Sequence, residues 1–176
     1  LGILAIIAAI KYTIGKKAYG YSGLGDLFVF IFFGLIGNIG TFFLQSHSFK
    51  WTVLLPATGL GFLITGVLNL NNMRDRKGDK LSGKNTLAVF LNEQGIKTYH
   101  FFLLFAGFIA LILFSAIEFH SFYQYIFILA VPLLIRNIYI VFKNKEPAYL
   151  DKELKIYALS VFLIAVLFSV GLAVVS

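Results

Sequence analysis

An all-α, polytopic bundle embedded in a lipid bilayer is the fold class this sequence predicts, and three observations predict it. The chain is 59% hydrophobic and 13% charged, where a soluble domain carries roughly 25% charged residues, so its excess apolar surface needs lipid as a solvent. The apolar residues gather at 26–44, 51–70, 99–117, 122–142 and 156–175, runs near the ~20 residues that a spanning helix requires. The basic residues sit in every second segment between those runs. Helices follow rather than open strands, whose backbone groups would go unpaired in hydrocarbon.

A sixth apolar run, 1–10, is short and begins at Leu1 with neither a cap nor a charge before it. It reads as the tail of a longer span, which gives about five full spans plus one partial. The expected organisation is a single membrane domain over 1–176, the C-terminal portion of a larger one. No basic segment precedes the run, so it does not fit a signal peptide. Segments 11–25, 71–98 and 143–155 hold thirteen of the fifteen Lys and Arg; 45–50 and 118–121 hold only Lys50, and Arg136 lies within a span. Short loops rich in Lys and Arg stay in the cytoplasm, so these three segments are expected there. The net charge of +7 is then mostly a matter of topology, and the partner it implies is the bilayer, not nucleic acid. Without cysteine, disulfides and thiolate chemistry are excluded.

Within the first full span, Gly34, Asn38, Thr41 and Gln45 recur at steps of four, three and four and share one helix face. The glycines read as close helix packing; Asn38 fits either packing or a cavity wall. The second span holds Thr65 and Asn69, and continuing it as a helix adds Asn72, Asp75 and Asp79 at +3, +3 and +4. One polar stripe then climbs out of the membrane and ends in two carboxylates. Positions i and i+4 are neighbours on a helix, so Asp75 and Asp79 can address one ion. Polar order of this kind inside lipid faces a water-filled cavity.

Residues 71–84 are the densest charged stretch, with Asp75 and Asp79 among Arg74, Arg76, Lys77, Lys80 and Lys84. Mg²⁺ takes one or two carboxylates and completes its shell with substrate phosphates, which suits this composition; a solvated surface with internally paired charges is the plainer alternative. Gly78 to Asn85 imitates a phosphate-binding P-loop, but Asn85 stands where a hydroxyl is needed and no strand precedes it, so the motif's context fails. Lys84 remains a point charge suited to a phosphate. The first basic segment offers Tyr12, Lys16, Lys17 and Tyr19, either as an interfacial belt or as substrate contacts, and Asp26 at the mouth of the first full span has no basic neighbour. Arg136 is expected to snorkel to the surface. His47, His100 and His120 are scattered and form no ligand set.

The stretch from Gly23 through Asp26 to Gly34, then Gly40 to Gln45, and the run Asn71-Asn72-Met73-Arg74-Asp75 … Asp79 … Gly83-Lys84-Asn85-Thr86 resemble the UbiA-type intramembrane prenyltransferases. The resemblance is to the branch that acts on 1,4-dihydroxy-2-naphthoate in menaquinone synthesis in the bacterial inner membrane. It implies nine helices around a central cavity and two aspartate-rich cytoplasmic motifs that bind Mg²⁺ and a polyprenyl diphosphate. Asp75 and Asp79 correspond to the second motif; the first belongs upstream of Leu1, so this stretch alone is expected to be inactive. The resemblance further implies that Asn71, Asn72, Arg74, Lys80 and Lys84 contact the diphosphate. Asp26, with Tyr12, Tyr19 and Lys16 or Lys17, is implied to hold or deprotonate the aromatic acceptor. A family member using 4-hydroxybenzoate or a haem stays open, as does, more remotely, a transporter.

Overall fold

A computed structural model describes residues 23–175. The expected partial span 1–10 and the candidates Tyr12, Lys16, Lys17 and Tyr19 lie outside the described residues. Five helices long and apolar enough to cross a membrane are present: Gly25–Ser46, Trp51–Leu81, Glu93–Ile117, Phe122–Lys143 and Leu150–Ala173. We label these α1, α2, α4, α5 and α6, with the short helix Leu87–Phe90 as α3. Among the described residues there is no strand.

The helices overrun the apolar stretches that predict them. α2 continues through Arg74, Asp75, Lys77 and Asp79 to Leu81, because nothing between 71 and 81 except Gly78 disfavours a helix. α4 starts at Glu93, where the Asn92 side chain accepts the Gly95 amide at 2.6 Å, an N-cap that satisfies one orphan donor. Two of the rods are irregular. α1 carries a π-helical segment, Phe30–Ile36, and the Asn38 amide donates to the carbonyls of Phe33 (3.1 Å) and Gly34 (2.7 Å). α5 opens with a 3-10 stretch, Phe122–Ala130, and becomes α-helical where Pro132 enters the first turn, a position at which its missing N–H costs nothing.

α2 is the hub and packs against α1, α4 and α6. Small residues let it approach so closely. A Cβ on Gly34 would stand 2.6 Å from Gly61 Cα, and one on Gly59 would stand 2.8 Å from the Gly107 carbonyl oxygen, so α1 and α4 meet α2 backbone to backbone. On its third side, Tyr157 of α6 is fully buried and donates its hydroxyl to Leu63 O at 2.9 Å. The core around this hub includes Leu63, Leu70, Leu103, Leu104 and Ile164. The outer surface is apolar: Leu44, Leu129 and Leu159 are between 67% and 73% exposed, as suits a surface that meets lipid.

Polar side chains instead turn inward, the reverse of a water-soluble helix. One such chain crosses four helices. Asn69 Nδ2 of α2 donates to His100 Nδ1 (3.2 Å), and His100 Nε2 donates to Asn137 Oδ1 (2.8 Å). Asn137 Nδ2 donates to Glu153 Oε1 at 2.9 Å, and Arg136 Nη1 reaches Glu153 Oε2 at 2.9 Å. Because the Glu153 carboxylate only accepts, Asn137 turns its Oδ1 to His100, and the ring then carries its proton on Nε2. Arg136 therefore does not simply snorkel: Glu153, 3% exposed, holds it as an ion-pair partner from the next helix. His100, without a role in the sequence reading, is a fully buried link in the bundle.

Candidate active site at the acidic and basic end of α2

The polar stripe of α2 lies where its spacing places it. Thr65, Asn69, Asn72 and Asp79 are all buried, and Asp75, with 41% of its side chain exposed, opens toward solvent. Thr65 spends its hydroxyl on the Gly61 carbonyl (2.8 Å), an internal helix bond. The upper members meet groups from other elements.

Two half-sites result. On one, Arg74 grips Asp75 through Nε–Oδ1 at 2.8 Å and Nη2–Oδ2 at 2.9 Å. The same guanidinium donates to Asn71 Oδ1 (2.9 Å) and to Asp151 Oδ1 in the first turn of α6 (3.0 Å). Asn71 adds a longer bond to Asp75 Oδ2 at 3.4 Å. Arg74 is thus a staple between α2 and α6, and its planar fork holds both acids at fixed angles.

The other half-site is built by the end of α2. Lys84 N donates to Asp79 O (2.8 Å) and Gly83 N to Lys80 O (3.3 Å), the paired bonds of a Schellman turn. Gly83 takes φ +73°, in the left-handed region that a side chain disfavours. This reversal folds Lys84 back over the helix end, where its Nζ lies 3.4 Å from Asp79 Oδ1. Thr86 Oγ1 stands 3.5 Å from Asp79 Oδ2. Both contacts are long, so Asp79 has capacity to spare for another ligand.

Asp26 faces the same small cavity, shared with Asn72, Lys84 and Thr86. It is 4% exposed; Asn72 Nδ2 approaches its Oδ1 at 3.5 Å, while Oδ2 lacks a hydrogen-bond partner among the described residues. The Tyr99 hydroxyl lies close to the same carboxyl. A buried carboxyl oxygen without a hydrogen bond is costly, and Oδ2 marks a place where a ligand group fits. Tyr99 was not singled out from the sequence; it lies far along the chain, and only the packing of α4 on α2 brings it in.

Below Asp75, α1, α2 and α6 enclose a groove of about 780 Å³ whose walls include Val29, Phe33, Ile64 and Phe162, with Asn38 and Asn71 as polar exceptions. Asn71 joins groove and acid cluster. Lys80, by contrast, lines a separate cavity on another face of α2. Among the described residues no three His, Asp or Glu side chains converge to hold a metal unaided. Asp79, held only by contacts of 3.4 and 3.5 Å, nevertheless fits a Mg²⁺ whose other ligands are phosphate oxygens, whereas both oxygens of Asp75 are taken by Arg74.

An α-bundle of five helices long and apolar enough to cross a membrane, with an apolar groove that ends in acids, amides and cations, defines a multi-pass membrane protein. More narrowly, the chain belongs to the UbiA prenyltransferase family, whose model matches residues 1–160. It is 45% identical over 174 residues to a "1,4-dihydroxy-2-naphthoate octaprenyltransferase" of Haemophilus influenzae, covering 99% of this chain and 56% of that protein. It is 41% identical over 172 residues to the Escherichia coli protein of the same description, covering 98% of this chain and 56% of that one. A Dictyostelium discoideum "UbiA prenyltransferase domain-containing protein 1" is 38% identical over 88 residues, which is 50% of this chain and 27% of that protein. The chain thus spans a little over half the length of the first two relatives. No solved structure matches it.

Proposed function

We propose that this chain forms part of a Mg²⁺-dependent prenyltransferase that moves a polyprenyl chain from its diphosphate to 1,4-dihydroxy-2-naphthoate, releasing CO₂ and diphosphate and giving demethylmenaquinol. The observation that carries the proposal is the junction at Asn71 between an apolar groove of about 780 Å³ and the Asp75–Arg74–Asp151 cluster. A prenyl tail fits the groove while its charged head meets the acids and cations. The close relatives' printed activity supports the choice of acceptor. In this reading 1–176 is one membrane domain in a bacterial inner membrane, with the basic segments cytoplasmic, and the second aspartate-rich motif is Asp75 and Asp79.

Mg²⁺, when bound, would neutralise diphosphate charge as a Lewis acid; Asp75 and Asp79 are the residues here that would hold it. Lys84, set on the Asp79 side, and Arg74 stabilise the charge that gathers on the leaving oxygen. The C–O bond of the prenyl diphosphate breaks with its electron pair going to diphosphate. A ring carbon of the acceptor forms the new C–C bond, and the carboxylate leaves as CO₂, returning its bonding pair to the ring. Phe33 and Phe162 along the groove exclude water from the allylic cation. Asp26, with an unpartnered oxygen facing the Lys84 cavity, is assigned to hold or deprotonate an acceptor hydroxyl.

The test uses membranes carrying the full-length protein, supplied with polyprenyl diphosphate, Mg²⁺ and the dihydroxynaphthoate, with demethylmenaquinol read by mass spectrometry. Asp75→Asn and Asp79→Asn should each lose activity about 10²-fold or more, the scale of removing a preorganised charge from the transition state, at normal expression. Asp26→Asn should lose turnover while prenyl diphosphate binding persists. Product from 4-hydroxybenzoate instead of the dihydroxynaphthoate refutes the acceptor, and full activity in both Asp75→Asn and Asp79→Asn refutes the metal site.

A further inference from the structure

α2 presents a second cavity on the face opposite the groove. Residues 64, 67, 68 and 71 line the groove, whereas 73, 76, 77 and 80 line the other cavity, and at 3.6 residues per turn these two sets point in opposite directions. The second cavity, about 330 Å³, is bounded by Arg76, Lys77, Lys80, Lys97, Lys145 and Glu93. Five cations thus surround a single carboxylate. Elsewhere at this end Arg74 is neutralised by Asp75 and Asp151 and Lys84 by Asp79.

Two of the five cations are fixed in place. Arg76 donates to Leu91 O at 2.7 Å, and Lys97, 8% exposed, donates to Glu93 Oε1 at 2.7 Å and Asn144 O at 2.8 Å. Lys77, Lys80 and Lys145 are exposed and form no ion pair among the described residues. The N-termini of α4 and α6 also abut the cavity, through Glu93 and Leu150, and add the positive ends of two helix dipoles. The floor is apolar, with Met73, Val141 and Leu150. Beside it, Tyr139 and Phe142 of α5 are exposed, and Lys143 lies over the Tyr139 ring at 4.5 Å, an aromatic and basic pairing of the kind that settles at head-group depth.

We propose that this cavity binds the phosphodiester head group of an anionic phospholipid from the adjoining leaflet. Concentrated positive charge calls for a phosphate, and the apolar floor with the neighbouring interfacial aromatics favours one that carries acyl chains over a free ion. The site goes beyond the proposed transferase reaction and uses no group from the Asp75 half-site.

Native mass spectrometry of the full-length protein, with phosphatidylglycerol, phosphatidylcholine or inorganic phosphate added to the micelles, tests it. Wild type should retain phosphatidylglycerol in preference to phosphatidylcholine, and inorganic phosphate should not displace it. Lys77→Gln with Lys145→Gln should weaken the retained lipid about 25-fold, near fivefold for each lysine, with an unchanged melting temperature showing that the bundle is intact. Equal retention of the two lipids, or equal phosphatidylglycerol retention by wild type and the double variant, overturns the site. Displacement by millimolar phosphate overturns its assignment to lipid.

Discussion

Gly83 is the residue on which the Asp79 half-site turns, and its replacement separates backbone geometry from side-chain chemistry. A Cβ added there has nothing within 4 Å, so Gly83→Ala introduces no steric clash with a neighbour. What remains is the left-handed backbone at φ +73°, which costs a residue with a side chain about 1–2 kcal/mol. If the turn opens to escape that cost, the bonds from Lys84 N to Asp79 O and from Gly83 N to Lys80 O are lost and the Lys84 ammonium leaves Asp79. The population holding Lys84 in place should then fall about 5- to 30-fold for 1–2 kcal/mol. In the full-length protein this should appear as a rise of similar size in KM for the prenyl diphosphate. Gly83→Asn should fall between, because asparagine tolerates this region. A KM for Gly83→Ala within twofold of wild type refutes the reasoning, and a similar result for Lys84→Met shows that the ammonium itself is unused.

Two further outcomes probe the bundle. Gly34→Ala should destabilise the protein by about 1–3 kcal/mol, the range for overpacking, because its Cβ meets Gly61 Cα at 2.6 Å, while Gly40→Ala, with nothing within 4 Å, should leave the melting temperature in detergent unchanged. His100→Leu strands Asn69 Nδ2 and Asn137 Oδ1, which lose partners at 3.2 and 2.8 Å, and at about 1–3 kcal/mol for each buried polar group left unsatisfied it should lower the melting temperature more than Gly34→Ala does; an equal or higher melting temperature shows that the relay carries no stability.

The spans were legible because lipid imposes a coarse rule: enough apolar residues in a row must be helical. The stripe from Thr65 to Asp79 was legible because a period of 3.6 persists across the membrane surface. Helix ends were not, since hydropathy falls at Leu70 whereas backbone hydrogen bonding continues to Leu81. The Asp75–Arg74–Asp151 staple and the His100 relay were hidden for another reason. The partners that join different helices lie 16 to 77 residues apart, and nothing local in the sequence distinguishes a histidine that links helices from one left at the surface. Asp26 could be suspected from its missing counter-charge, but that Asn72 and Lys84 share its cavity could be known only from packing.

The unbroken course of α2 has a consequence for how such a protein tolerates change. Its α-helical part, Leu54–Leu81, has 28 residues and spans about 42 Å at 1.5 Å each, more than the ~30 Å of hydrocarbon, so membrane segment and acid pair turn as one shaft. Inserting or deleting a single residue below Asn71 rotates Asp75 and Asp79 by about 100°, carrying Asp75 off the groove side and toward the lysines on the far face. The smallest change that nearly keeps the phase is about seven residues, two turns, and it lifts the acids by about 10 Å. Length variation is therefore confined to the connections between helices, and the shaft itself can change in composition but not in count.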